Sequence, residues 1–98
     1  MQFNWDIDKE KNNKKKHGIT FSESCYVFSD NYSLNLFDEE HSDDEDRWIT
    51  IGQGIENKIL VVIHTYRKMN NKEIIRIISA RKANNKEIQQ YYQRRGKR

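Results

Sequence analysis

Phe3, Trp5 and Ile7 alternate with polar residues, the period of a strand with one buried face, here an edge strand. Asp6 or Asp8 offers an N-cap for a helix running toward His17, and Gly18 supplies a left-handed stop. That helix has almost no apolar stripe after Ile7, so it is expected to lie mostly exposed. Thr20 and Glu23 form a capping box, after which Phe21, Cys25 and Phe28 recur at i, i+4 and i+7 along a short helix. Leu34 and Leu36 alternate as a strand. Seven acids between Asp38 and Asp46 then repel one another, which predicts a solvated loop. "RWITIG" resumes a strand, with Gly52 and Gly54 at the following turn. "ILVVIHTY" (59–66) and "EIIRIISA" (73–80) are β-branched and apolar on both faces, as central strands are.

The stretches "RKMNNKEI" (67–74) and "RKANNKEI" (81–88) differ at one letter, yet their contexts differ. The first lies between two central strands, where Asn70 and Asn71 tolerate the positive φ angles of a tight hairpin. The second follows the last strand. There Asn84 and Glu87 read as an N-cap and its capping-box partner, with Ile88, Tyr91 and Tyr92 at helical spacing. The same letters therefore turn a hairpin once and open a helix once. The resulting order is strand, two helices, four strands and a closing helix. This predicts a small α+β single domain over 1–98 with a largely antiparallel sheet. The basic end, 93–98, is expected to be a flexible tail.

Net charge is +3, but residues 1–49 hold twelve acids and six bases, whereas 50–98 hold three acids and twelve bases. The basic half suits a polyanion, with the acidic segment as counterweight. No apolar run is long enough to cross a bilayer and no charged-then-apolar leader opens the chain, so no membrane role is expected. Cys25 is the single cysteine, which fits a reducing cytoplasm and reads as a small buried hydrophobe.

"GQG" lacks the helix and lysine of a phosphate loop. His17, Cys25, His41 and His64 lack the close pairing of zinc ligands, and His41 amid acids is a poor divalent-ion site; neither metal nor cofactor is expected. What remains is a histidine, a tyrosine and several guanidinium groups near the central strands: Arg47, His64, Tyr66, Arg67, Arg76, Arg81 and Lys82. Metal-free RNA cleavage needs such a set. A base takes the 2′-hydroxyl proton, an acid protonates the leaving oxygen, and fixed cations offset the growing phosphorane charge. Each also has a structural reading: His64 as a packing residue, Arg76 in a local ion pair, and Arg81, Lys82, Arg94 and Arg95 as a solvated basic surface.

Register decides part of this. A two-residue turn at Asn70-Asn71 pairs Thr65 with Arg76 and puts His64 and Arg76 on opposite faces. A turn one residue longer pairs Tyr66 with Arg76 and brings His64, Tyr66 and Arg76 together.

"FNWDIDKEKNNKKKHGITFSES", "RWITIG", "LVVIHTYR" and "RIISARKA…E…Y" together resemble, in order, the blocks of the BrnT toxins, over roughly residues 3–92. The resemblance implies a type II toxin with a RelE-like ribonuclease fold. Such a toxin cuts RNA in the cytoplasm, is neutralised by a DNA-binding BrnA-like antitoxin, and meets DNA only through that complex. It implies a metal-independent endoribonuclease. The matching positions are Arg47, His64, Arg76, Arg81 and Lys82; in the leading reading of this chain Arg47, Arg76 and Arg81 hold the scissile phosphate, and His64, or failing that Tyr66, moves protons. Lys82, Arg67, Arg94 and Arg95 grip flanking RNA. Two departures stand out: a first helix rich in lysine and asparagine, and a polar hairpin around Asn70. The rival is a non-catalytic nucleic-acid-binding or corepressor module beside a DNA-binding partner; a His64 buried away from every arginine would favour it.

Overall fold

The computed structural model describes residues 1–96. Its sheet runs in the order β1-β5-β4-β3-β2, built from β1 (Gln2–Trp5), β2 (Leu34–Phe37), β3 (Trp48–Gln53), β4 (Ile59–Met69) and β5 (Lys72–Lys82). Three pairings are antiparallel, and β1 joins β5 in parallel. The helices are α1 (Ile7–His17), α2 (Phe21–Ser24) and α3 (Asn85–Gly96). Residues 93–96 of the expected tail continue α3, and residues 97–98 lie outside the described residues.

Local chemistry sets the boundaries. The Asp6 carboxylate accepts from the backbone N–H of Asp8 (2.8 Å) and Lys9 (3.1 Å), and Gly18 ends α1 at φ 73°. Ile7 is not part of the first strand: it opens α1 and is 64% exposed, because the cap at Asp6 ends the strand's alternation. Thr20 caps α2, but after one turn the chain tightens into a 3-10 segment over Cys25–Ser29. Ser24 and Val27 are then buried alongside Phe21 in place of a Phe21–Cys25–Phe28 stripe. The Glu10 carboxylate reaches from α1 to accept from the Phe21 N–H (3.0 Å).

Helix α1 docks without an apolar stripe. Its one buried residue is Asn13, whose amide donates to the carbonyls of Ile19 (3.0 Å) and Ala80 (2.8 Å) and accepts from the Ala80 N–H (3.1 Å). Strand β1 pairs with β5 only over 74–77, so the β5 backbone at Ala80 has no strand partner on that side, and Asn13 takes the partner's place.

One sheet face packs Leu60, Val62, Ile75, Ile77 and Ala80 against Ile19, Phe21 and Val27. The other packs Ile51, Ile59 and Val61 against Tyr91 and Ile88 of α3. The reciprocal bonds of Asn84 and Glu87 (2.8 and 2.9 Å) start α3 as a capping box. The Tyr91 hydroxyl donates to Asp30 (2.6 Å). Helix α3 covers only the end of this face near Gln53, so the other end stays open.

Candidate active site

The hairpin turn is the two-residue form. Asn70 and Asn71 have φ of 53° and 65°, and Met69 pairs with Lys72. His64 therefore pairs with Ile77 and Thr65 with Arg76, so His64 and Arg76 point to opposite faces. The His64–Tyr66–Arg76 grouping that a longer turn would give is not formed. Beyond this point the register slips by one, with Ile63 opposite Ser79, which makes Ile78 the extra residue of a β-bulge. Arg76 and Arg81 are five positions apart and would face opposite ways in a regular strand. The bulge returns Arg81 to the face of Arg76.

That face is the one α3 leaves open. Trp48 pairs with His64, and continuing the register places Arg47 opposite Thr65. One row across the sheet thus reads Arg47, Thr65, Arg76, Asn4. Strands lie about 4.8 Å apart, so the Arg47 and Arg76 backbones are about 10 Å apart, within reach of one phosphate for two long guanidinium side chains. Arg76 donates to the side-chain amide oxygen of Asn4 (3.2 Å). Between the arginines the Thr65 hydroxyl is buried and has no hydrogen-bond partner among the described residues. Arg67 is held by the Glu45 carboxylate (3.1 Å) and Arg81 by Glu87 through two bonds of 2.8 Å. The paired charges lower the Glu87 pKa and raise that of Arg81.

Arg47 and Arg81 also line a depression of about 370 Å³ with Asp38, His41 and Ser79, floored by Ile49, Ile63 and Ile78. The acidic segment is solvated, as its charge run predicts, and its backbone is also closed into a turn. The Asp38 N–H donates to the Arg47 carbonyl (2.9 Å), and the Ser42 hydroxyl accepts from the Arg47 N–H (2.9 Å) while donating to the Asp38 carbonyl. His41 Nδ1 lies 3.0 Å from the Asp38 carboxylate. Sequence reasoning passed over this pair; the available signal was the three-residue spacing from Asp38 to His41. A wider hollow along α1 is lined by Asp8, Lys11, Asn12, Lys14 and Lys15 of a single helix and gathers no histidine.

On the opposite face His64 is 0% exposed, and its Nε2 is 2.7 Å from the Thr50 hydroxyl. Thr50 donates its one proton to Asn35 (3.1 Å), so His64 Nε2 carries the proton it shares with Thr50. Burial pushes the His64 pKa down to about 4. Its ring meets Phe28 and Tyr66 edge-on at 4.9 and 5.2 Å, and Tyr66 meets Trp48 at 5.9 Å. The Tyr66 hydroxyl accepts from Asn35 (3.0 Å). These are the contacts of a packed histidine, whose buried Nδ1, like the Thr65 hydroxyl, has no hydrogen-bond partner among the described residues.

The remaining candidates scatter. Lys82 is exposed at the far end of β5, paired with Leu60 on the His64 face. Arg94 donates to the carbonyls of Tyr32 and Ser33, while Arg95 donates to Gln53 (3.1 Å) and sits over the Tyr32 ring at 5.6 Å. Both fasten α3 to the other end of the sheet. Cys25 is half-buried and donates to the Phe21 carbonyl; burial, then Glu10, pushes its pKa to about 11, so it is no nucleophile at neutral pH. Among the described residues no three histidine, cysteine or acidic side chains gather to hold a metal ion, and no helix is long and apolar enough to cross a membrane.

Residues 5–87 match the family model described as the ribonuclease toxin BrnT of type II toxin-antitoxin systems. The chain belongs to the BrnT family. BrnT proteins are ribonuclease toxins of type II toxin-antitoxin systems, and the family implies an antitoxin partner. The fold is similar to the crystal structure of the Brucella abortus ribonuclease toxin BrnT, with a TM-score of 0.60 and 24% identity, over 87% of this chain and 99% of that one. No curated protein matches.

Proposed function

We propose that this BrnT chain is a metal-independent endoribonuclease acting on cytoplasmic RNA, with the open arginine face as its active site. The row of Arg47, Thr65 and Arg76, with Arg67 and Arg81 on the same face, carries this reading. Two guanidinium groups flanking one phosphate offset the charge that builds on its oxygens during attack, and each such donor is worth about 10²–10³ in rate. Arg67 holds flanking RNA. His64 packs within the opposite face, where Tyr66 is partly exposed beside it, and Lys82, Arg94 and Arg95 lie outside the RNA path. A BrnA-like antitoxin neutralises the toxin. Its basic segment pairs with the acidic turn between Asp38 and Asp46, and DNA is met only through that complex.

The test is cleavage of RNA by the purified full-length chain with and without a chelator of divalent ions, beside mapped RNA ends in cells after induction. Equal cleavage in chelator supports the reading, and cleavage lost with the metal ions refutes metal independence. The burial of His64 away from every arginine favours a second reading, a non-catalytic nucleic-acid-binding or corepressor module. RNA binding without any new RNA ends, in vitro and in cells, would decide for it.

A further inference from the structure

The arginine face supplies positive charge but no group on its strands that accepts a proton near neutral pH. Cleavage through the 2′-hydroxyl needs one. Only the turn after β2 brings a histidine to that face. His41 is 62% exposed on its side chain, whereas Asp38 beneath it is 11% exposed. An ionised carboxylate only accepts, so the Asp38 contact places the imidazole proton on Nδ1 and leaves a lone pair on Nε2. No described residue bonds that Nε2. The pair is anchored at the throat of the turn, where Ser42 ties the Asp38 carbonyl to the Arg47 N–H. His41, Arg47 and Arg81 line one depression of about 370 Å³, with Asp38 and Glu40 beside them, so the imidazole and two guanidinium groups share one space.

We propose that His41, positioned by Asp38, is the base that takes the 2′-hydroxyl proton in this site; the assignment rests on the RNA-cleavage reading. The 2′ oxygen loses its proton to His41 Nε2 and attacks phosphorus. The new P–O2′ bond forms as the P–O5′ bond breaks. The 5′ oxygen leaves as a hydroxyl, taking a proton from solvent, and the imidazolium later returns its own proton to solvent. The products are a 2′,3′-cyclic phosphate and a 5′-hydroxyl end, with no metal ion or co-reactant consumed. Arg47 offsets the phosphorane charge, and Arg81 adds to it to the extent that substrate phosphate displaces Glu87. The charged groups facing His41 are Asp38, Glu40, Asp43, Asp44, Glu45 and Arg47 of its own turn, and Arg81 of β5.

The experiment is single-turnover cleavage of an RNA oligonucleotide by the full-length chain from about pH 5 to 9, the range in which histidines titrate. Wild type, His41→Gln and Asp38→Asn are compared, with RNA affinity and melting temperature measured alongside. His41→Gln is expected to be about 10²–10⁴-fold slower, with unchanged RNA affinity, and to lose the rising limb of the pH profile. Asp38→Asn should slow the reaction less and also distort that limb, because an amide no longer fixes the tautomer. His41→Gly should regain rate with added imidazole. If wild type cleaves while His41→Gln keeps its rate and its limb, the assignment is overturned and the ribonuclease reading stands. If wild type binds RNA and never cleaves it, both fall.

Discussion

The two faces of the central hairpin carry similar chemistry in opposite states. On the helix-covered face His64, Tyr66, Trp48 and Phe28 interlock, and the histidine is neutral and bonded to Thr50. On the open face Arg47, Arg67, Arg76 and Arg81 surround a buried, unsatisfied threonine. Adjacent residues His64 and Thr65 thus belong to different tasks. A histidine inside an apolar strand is prevented from ionising by its surroundings, whereas an arginine on an uncovered face keeps its charge and its donors. Proximity in sequence therefore misled where alternation was decisive.

Substitution on each face should break the comparison most sharply. Arg76→Ala removes a phosphate donor and one bond to Asn4. Cleavage should drop by about 10²–10³ while stability changes by under about 1 kcal/mol. His64→Gln should do the reverse, lowering the melting temperature while folded molecules keep their rate. Cleavage kinetics paired with thermal melts check both. Equal loss of activity per folded molecule from the two changes would erase the distinction between the faces.

The acid limb of stability tests the state assigned to His64. Its pKa falls from an ordinary 6.5 to about 4 because burial opposes the charged form. Between those values the unfolded chain takes up the proton and the folded chain does not. The contribution is thus whole above pH 6.5 and is lost as pH falls toward 4, on the order of 3 kcal/mol. In the same acid range Asp30 acts lower: burial alone would raise its pKa, but bonds from Tyr91, Gln53 and Tyr32, with Arg95, hold it below its usual 3.8. Denaturation from pH 7 to 4 should therefore show a slope that His64→Gln flattens; an unchanged slope would mean His64 is solvated.

A smaller loss is expected on the covered side at Asn13. Replacing it with alanine leaves the Ala80 N–H and carbonyl unpaired inside the protein, which costs about 2–3 kcal/mol. Asn13→Asp should cost as much, since a carboxylate cannot donate to the Ala80 carbonyl. Chemical denaturation measures both, and a loss under about 0.5 kcal/mol would show that water replaces the amide.

Much of this was legible in the sequence, for local reasons. Gly18, Thr20 and Asn84 are fixed by caps and φ preferences that act over a few residues, so their positions could be named beforehand, as could the first cap to within Asp6 or Asp8 and the place of the Asn70-Asn71 turn, though not its length. The bulge at Ile78 could not, because it is set by fitting Ala80 into the core opposite Val62 while Arg81 stays outside. It alone gathers Arg76 and Arg81. Nor could the docking of α1 be read, since a polar residue supplies the contact where an apolar stripe was sought. The His41–Asp38 pair was hidden by its neighbours: an acidic run reads as solvated until Ser42 is seen to close it.

The smallest expected effect concerns the contact that joins the acidic turn to the arginine face. Glu45 holds Arg67 across an exposed pair of 3.1 Å, so the free toxin covers one of its own cations. RNA must displace that carboxylate, and Glu45→Gln removes the competitor. Exposed pairs are worth about 0.2–1 kcal/mol, so RNA affinity should rise about two- to fivefold, with little change in melting temperature. The gain should fade as salt screens the pair. Glu56→Gln makes the same charge change at the far end of β3, where Glu56 faces Lys58 at 3.8 Å, and serves as the control. Titration of a labelled RNA against the three proteins at two salt concentrations distinguishes the cases. An equal gain from both variants would make net charge the cause, whereas a gain confined to Glu45→Gln places Arg67 on the RNA path.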